Sequence, residues 1–345
     1  MPIRLFLFTL LLASSVRPLH AATLIVANKS EATVSLVDLG SGKVAATLPV
    51  GTGPHEVAVS RNGRLALIAN YGTAETQGST LTLIDVPGAK VVKTIDLGEY
   101  KKPHGMVWIG DSRALVTSEA SKALLEVDVE TGKVVRALTT GQDISHMVAV
   151  TPDGSRAFVA NIGSGGITAF DLKEGKKLAD VPTAAGSEGI TVTPDGKQVW
   201  VTNRAADSVT VLDTATLKTV KTFDAPAFPI RAEATPDGKR VLVSLAKSGD
   251  VAVFSTSTLT LERRIPLEAP PAADRGGRLL ADFGNSSVPI GIEIAPDGKR
   301  AYVAHANADQ ISIVDLAEWK KVGSLTAGKE PDGMGMSALD VKPSK

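Results

Sequence analysis

Three features of the 345-residue chain predict an all-β fold, a seven-bladed β-propeller of four-stranded antiparallel blades. A short apolar strand ending in a small polar residue recurs seven times. Each repeat carries four β-type runs in one order. The chain also opens on a second-type strand, and the first-type strand that should precede it stands at the far end.

The first 22 residues read as a secretory signal, with Arg4 ahead of an apolar run from Leu5 to Ala13 and small residues at Ala21 and Ala22. That run is shorter than the roughly 20 residues a membrane helix needs, and no later segment is long and apolar enough. The expected organisation is a cleaved signal, 1–22, and one propeller domain, 23–345, in the periplasm or outside the cell. There is no cysteine, which excludes disulfides, thiolate metal sites and cysteine nucleophiles. The 37 basic and 37 acidic side chains cancel, so no general attraction to nucleic acid or an anionic membrane is expected.

The recurring strand is LIVAN ending at Asn28, LIAN at Asn70, LVTS at Ser118, FVAN at Asn161, WVTN at Asn203, VLVS at Ser244 and YVAH at His305. Its anchors, Val26, Ile68, Val116, Val159, Val201, Val243 and Val303, are 42, 48, 43, 42, 42 and 60 positions apart, a basic period near 42. The first run of each repeat begins with a dipeptide such as Pro54-His55. It leads through turns such as Pro152-Asp153-Gly154, Pro194-Asp195-Gly196, Pro236-Asp237-Gly238 and Pro296-Asp297-Gly298 into the second. There proline sets φ, aspartate caps the bend and glycine takes positive φ. The third run is of the type Val209 to Asp213, and the fourth follows a turn, as at Lys133 to Arg136. No run has helical spacing. The segment Pro331 to Met336 is the missing first strand, expected to pair with Leu24 to Asn28 and close the ring, which protects an otherwise open edge.

The strand WVTN at Trp200 to Asn203, its relatives FVAN and YVAH, and the Pro-Asp-Gly turns resemble those of the YVTN-repeat β-propeller proteins, an exported or surface family of bacteria and archaea. The resemblance covers the chain from residue 23 onward. It implies the fold rather than a chemistry, because such propellers host binding proteins and relatives of enzymes. Virginiamycin B lyase, the lactonases and the haem d1-binding domain of nitrite reductase are similar propellers, and none of their active-site patterns matches here residue by residue.

In such a ring the loops after second and fourth strands share one face. Both lengthened segments fall there: Tyr71 to Ser79, and the Pro- and Gly-rich stretch within Glu268 to Ser287, expected to be a loop whose Leu279, Leu280 and Phe283 pack on the ring. His55, His104 and His146 occupy the second position of three successive first strands, where the other blades carry Glu188, Ile230, Ile290 and Asp332. These polar side chains should surround one mouth of the channel, and His305 ends a second strand on that face. His55, His104, His146 and Glu188 are candidate ligands for a divalent transition metal. Arg231, His305 and Asp332 are candidate ligand-binding residues.

Arg231, Glu233 and Glu293 put charge on inner strands and need partners, an Arg to Glu pair among them. Met106, Met147, Met334 and Met336 all lie on first strands and read as core. Asp38, Asp85, Asp128, Asp171, Asp213 and Asp315 recur before turns and read as turn caps. No phosphate loop, HExxH helix or G-x-S-x-G elbow is present. The reading is therefore an exported module that binds a protein or small molecule through the channel mouth and the inserted loops. The alternatives are a metal-dependent lyase or lactone hydrolase, or a holder of a metal or redox cofactor, either using the histidine ring.

Overall fold

The computed structural model describes residues 22–342 apart from Arg275 and Leu279. The expected signal, with Arg4 and His20, lies outside the described residues except for Ala22, as does Leu279 of the long insertion. Seven four-stranded antiparallel sheets follow one another around a channel. The first combines β1 (Thr23–Asn28), β2 (Thr33–Asp38) and β3 (Lys43–Pro49) with the last strand, β28 (Pro331–Ser337), in the order β28-β1-β2-β3. The others are β4–β7 (54–96), β8–β11 (103–139), β12–β15 (145–182), β16–β19 (187–224), β20–β23 (229–266) and β24–β27 (289–326). No described helix is long and apolar enough to cross a membrane.

Burial follows position in the blade. Every residue of β1 is buried, because sheets pack on both of its faces and continuous apolar sequence is tolerated there. The outermost strands are mostly exposed, and β11 (Lys133–Thr139) alternates along its length because one face meets solvent. The strand containing Ser244 runs one residue beyond the repeated motif, so that Leu245 pairs with Pro229 where other blades place their terminal Asn, Ser or His.

The turns behave as their chemistry requires. The Thr151 hydroxyl donates to Asp153 at 2.6 Å, the Ser155 amide donates to the same carboxylate at 3.0 Å, and Gly154 sits at φ +70°. Asp128, Asp171, Asp213 and Asp315 each accept a backbone N–H three residues on, and Asp38 accepts from Gly40 and Ser41. Asp85 differs and lies 3.4 Å from Arg64. The methionines pack in core clusters. The insertion is tied to the last blade: the Ala272 amide donates to the Asn307 carbonyl at 2.7 Å, Arg278 pairs with Asp309, and Leu280 and Phe283 pack against Ile230, Ile290 and Ala306.

One irregularity recurs in every blade. On each inner strand two consecutive residues face a single residue of the second strand: His55-Glu56, His104-Gly105, His146-Met147, Glu188-Gly189, Ile230-Arg231, Ile290-Gly291 and Asp332-Gly333. A bulge re-aims side chains and brings backbones close. The approach is tight enough that a Cβ on Gly333 would lie 2.3 Å from the carbonyl oxygen of His55 in the next blade.

Gly333→Ala is therefore expected to cost about 1–3 kcal/mol by overpacking at the ring closure. Gly276→Ala, where a Cβ meets nothing within 4 Å, should cost far less. Urea denaturation of both variants checks this, and equal stability would contradict the closure geometry.

Candidate functional site

The bulges deliver six of the seven sequence-predicted residues to one cavity of about 530 Å³ at the channel mouth: His55, His104, His146, Glu188, Arg231 and Asp332. Its wall is completed by Lys29, Glu119, Ile162 and Arg204, which directly follow second strands, by Tyr71 near the end of the second strand Leu65–Gly72, and by Lys102 at the rim. Sequence reasoning missed Glu56, Glu119, Tyr71, Lys29, Lys102 and Arg204. For most of these the usable signal was the position after the strand-ending Asn or Ser, which carries a polar or aromatic residue in four of the blades.

The structure does not bring His305 to this cavity. Its ring is fully buried, with Nδ1 2.7 Å from the Ser287 hydroxyl and Nε2 2.8 Å from that of Ser312. It takes the place that Asn28, Asn70, Asn161 and Asn203 hold in other blades, where the side-chain amide donates to hydroxyls of the third strand. Burial, reinforced by the charge of Lys321, pushes His305 down to about 3, so it stays neutral. Both ring nitrogens are already used within the blade.

The other three histidines form a stack. His55 lies 4.4 Å from the Tyr71 ring and 5.1 Å from His104, and His104 lies 3.7 Å from His146. The Nδ1–H of His55 donates to the Gly53 carbonyl at 2.9 Å. Burial, and then the nearby Lys29 charge, holds His55 well below the ordinary imidazole range. Burial and the charge of His146 do the same to His104, whose Nδ1 has no hydrogen-bond partner and lies 3.9 Å from Glu56.

His146 behaves oppositely. Burial opposes its charge, yet it is raised above the usual value because its Nδ1 is hydrogen-bonded to Glu119 and its Nε2 lies 3.4 Å from Glu188. Glu119, pushed up by burial, is nevertheless held low by His146 and by the Tyr71 hydroxyl, which donates to it at 2.5 Å. Glu188, also resisted by burial, is held down to about 2 by His146 and Arg204. One imidazole whose charged form is favoured thus sits between two carboxylates, beside two rings held to the neutral form.

Arg231 crosses the channel. It is bonded to Glu56 and lies 3.6 Å from Glu188 and 3.9 Å from Asp332, joining side chains from four blades. Its partner is not Glu233, two residues along the same strand. Burial alone raises Glu233 to about 7, and burial reinforced by Glu233 raises Glu293. Glu56 is raised to about 6, burial outweighing the attraction of Arg231.

Residues 93–273, more than half of the chain, match the family model described as Cytochrome D1 heme domain, and residues 13–114 match that of the YNCE-like beta-propeller. No curated protein matches the chain.

In a histidine NMR titration of the metal-free protein, His146 should titrate above 6.5 and His55 and His104 well below it. Glu119→Gln should lower the His146 midpoint, and an unmoved midpoint would refute the pairing. Arg231→Met should destabilise by about 3–5 kcal/mol at pH 8, because it leaves buried carboxylates uncompensated. The loss should shrink towards pH 5, since Glu56 titrates from a raised value and can take up a proton. A loss independent of pH would contradict the charge network.

Proposed function

We propose that this chain, which belongs to the cytochrome D1 heme-domain family, is a ligand-binding propeller that holds a carboxylated tetrapyrrole of the haem d1 class at its channel mouth. The observation that carries this reading is His55. With Nδ1–H fixed on the Gly53 carbonyl and the ring kept neutral, Nε2 keeps a lone pair for a metal, and a backbone carbonyl holding the other ring nitrogen is the usual support of a metal-ligating histidine.

The residues present fit such a group. The cavity volume lies in the range of about 300–1,000 Å³ common to small-molecule sites. Tyr71, Ile144, Ile162 and Ile290 offer apolar walls to a flat macrocycle, and Lys29 and Lys102 offer cations to its carboxylates. When bound, the iron supplies redox chemistry and open coordination for small ligands. The chain's own part is to supply the His55 nitrogen, limit water, and present the hydrogen-bonding groups of His104 and His146 beside it. The signal-like first 22 residues support export, so we place this holder in the periplasm or outside the cell.

The test is spectroscopic titration of the purified chain with haem d1, and with haem b as a second iron tetrapyrrole. Stoichiometric binding with a shifted Soret band is expected, weakened at least about tenfold by His55→Ala. Absence of stoichiometric binding, or a His55→Ala variant with wild-type affinity and spectrum, would overturn the reading.

A further inference from the structure

We propose that His104, Glu119 and His146 form a second, non-haem site for a divalent first-row transition ion, distinct from the His55 nitrogen. One ligand atom from each of the three lies within 4.8 Å of the other two, and all three side chains are buried. Donors around a tetrahedral ion with bonds of about 2.0–2.2 Å sit about 3.4 Å apart, so from separations of up to 4.8 Å the cluster needs to close by at most about 1.4 Å.

A second observation points to a ligand independently of the clustering. Buried His104 Nδ1 is without a hydrogen-bond partner and lies 3.9 Å from Glu56, in a protein whose buried polar atoms are otherwise largely satisfied. A buried imidazole nitrogen left unpaired beside a second imidazole and a carboxylate is a donor that a metal would complete.

The scaffold presets these donors. His104 and His146 come from equivalent bulges of β8 (Pro103–Trp108) and β12 (Ser145–Val150), and Glu119 directly follows β9 (Arg113–Ser118). The hydroxyl of Thr117 donates to the carbonyl of His146 at 2.5 Å, which ties the two blades together at the site. The Tyr71 hydroxyl occupies Glu119 Oε2, orienting the carboxylate so that Oε1 is the oxygen that meets His146. That is the outer-shell support ligating carboxylates usually have.

Two imidazoles and one carboxylate suit iron, cobalt, nickel, copper or zinc rather than calcium or magnesium, which prefer oxygen. Three protein donors leave coordination positions open to the cavity these residues line. The cation would sit among Glu56, Glu188 and Asp332, whose charges offset the nearby Arg231, Arg204, Lys29 and Lys102.

The test uses tetrapyrrole-free, chelator-treated full-length protein titrated with Co²⁺ followed by visible absorption, and with Zn²⁺ followed by calorimetry. One ion per chain is expected, with Co²⁺ bands of low coordination number. Glu119→Gln, nearly isosteric, and His104→Ala should each weaken binding at least about tenfold, their folding checked by thermal melting. Substoichiometric binding by the wild type would overturn the site, as would folded Glu119→Gln protein binding Co²⁺ as the wild type does. Because the probe is the metal alone, this outcome is independent of tetrapyrrole binding.

Discussion

The close approach of seven inner strands around one axis is the constraint on which the rest of this structure depends. At each second and third inner-strand position the ladder gives way to a bulge, two residues facing one. Four blades place glycine at the third position. A Cβ there would strike the neighbouring strand, at 2.2 Å from the Ile230 oxygen for Gly189 and 2.3 Å from the Asp332 oxygen for Gly291. The same local distortion that lets the backbones meet aims the preceding side chain at the channel mouth. Site and ring closure are therefore consequences of one device.

Crowding charged groups into that space requires their mutual neutralisation. Arg231 does this for Glu56, Glu188 and Asp332, and His146 for Glu119 and Glu188. A buried charge is tolerated only when paired and hydrogen-bonded, so removal of one member exposes the others to the full cost of burial. Glu233 and Glu293 lack such partners, and their raised values show the alternative, in which burial favours the neutral acid. Within this network His55 and His104 are held to the neutral form and the charged form of His146 is favoured.

Functional asymmetry arises in a nearly symmetric ring because only some blades depart from the repeat. The histidines come from three successive blades, and Tyr71, near the end of one second strand, and Glu119, just after another, belong to two of those. The remaining blades contribute Arg231, Ile290 and Asp332. Neutral imidazoles thus collect on one side and the ion-paired floor on the other, which suits a metal-bearing ligand better than a purely apolar one. The described residues of the long insertion lie against the last blade, and none of them lines this cavity.

By itself the sequence determined the number of blades, the four-strand repeat, the closure by the segment from Pro331 to Met336 and the collection of His55, His104, His146, Glu188 and Asp332 at one mouth. Each of these follows from local periodicity and turn chemistry, which a linear reading preserves. Only the tertiary structure decided that His305 serves as a blade brace, that Arg231 pairs with Glu56 from a distant blade rather than with Glu233, and that Glu119 and Tyr71 join the histidines. Those outcomes depend on the bulges and on which blades face each other across the channel. Contacts between residues as far apart in the chain as Glu56 and Arg231 leave no mark in a 42-residue repeat, because each is fixed by ring closure rather than by its neighbours in sequence.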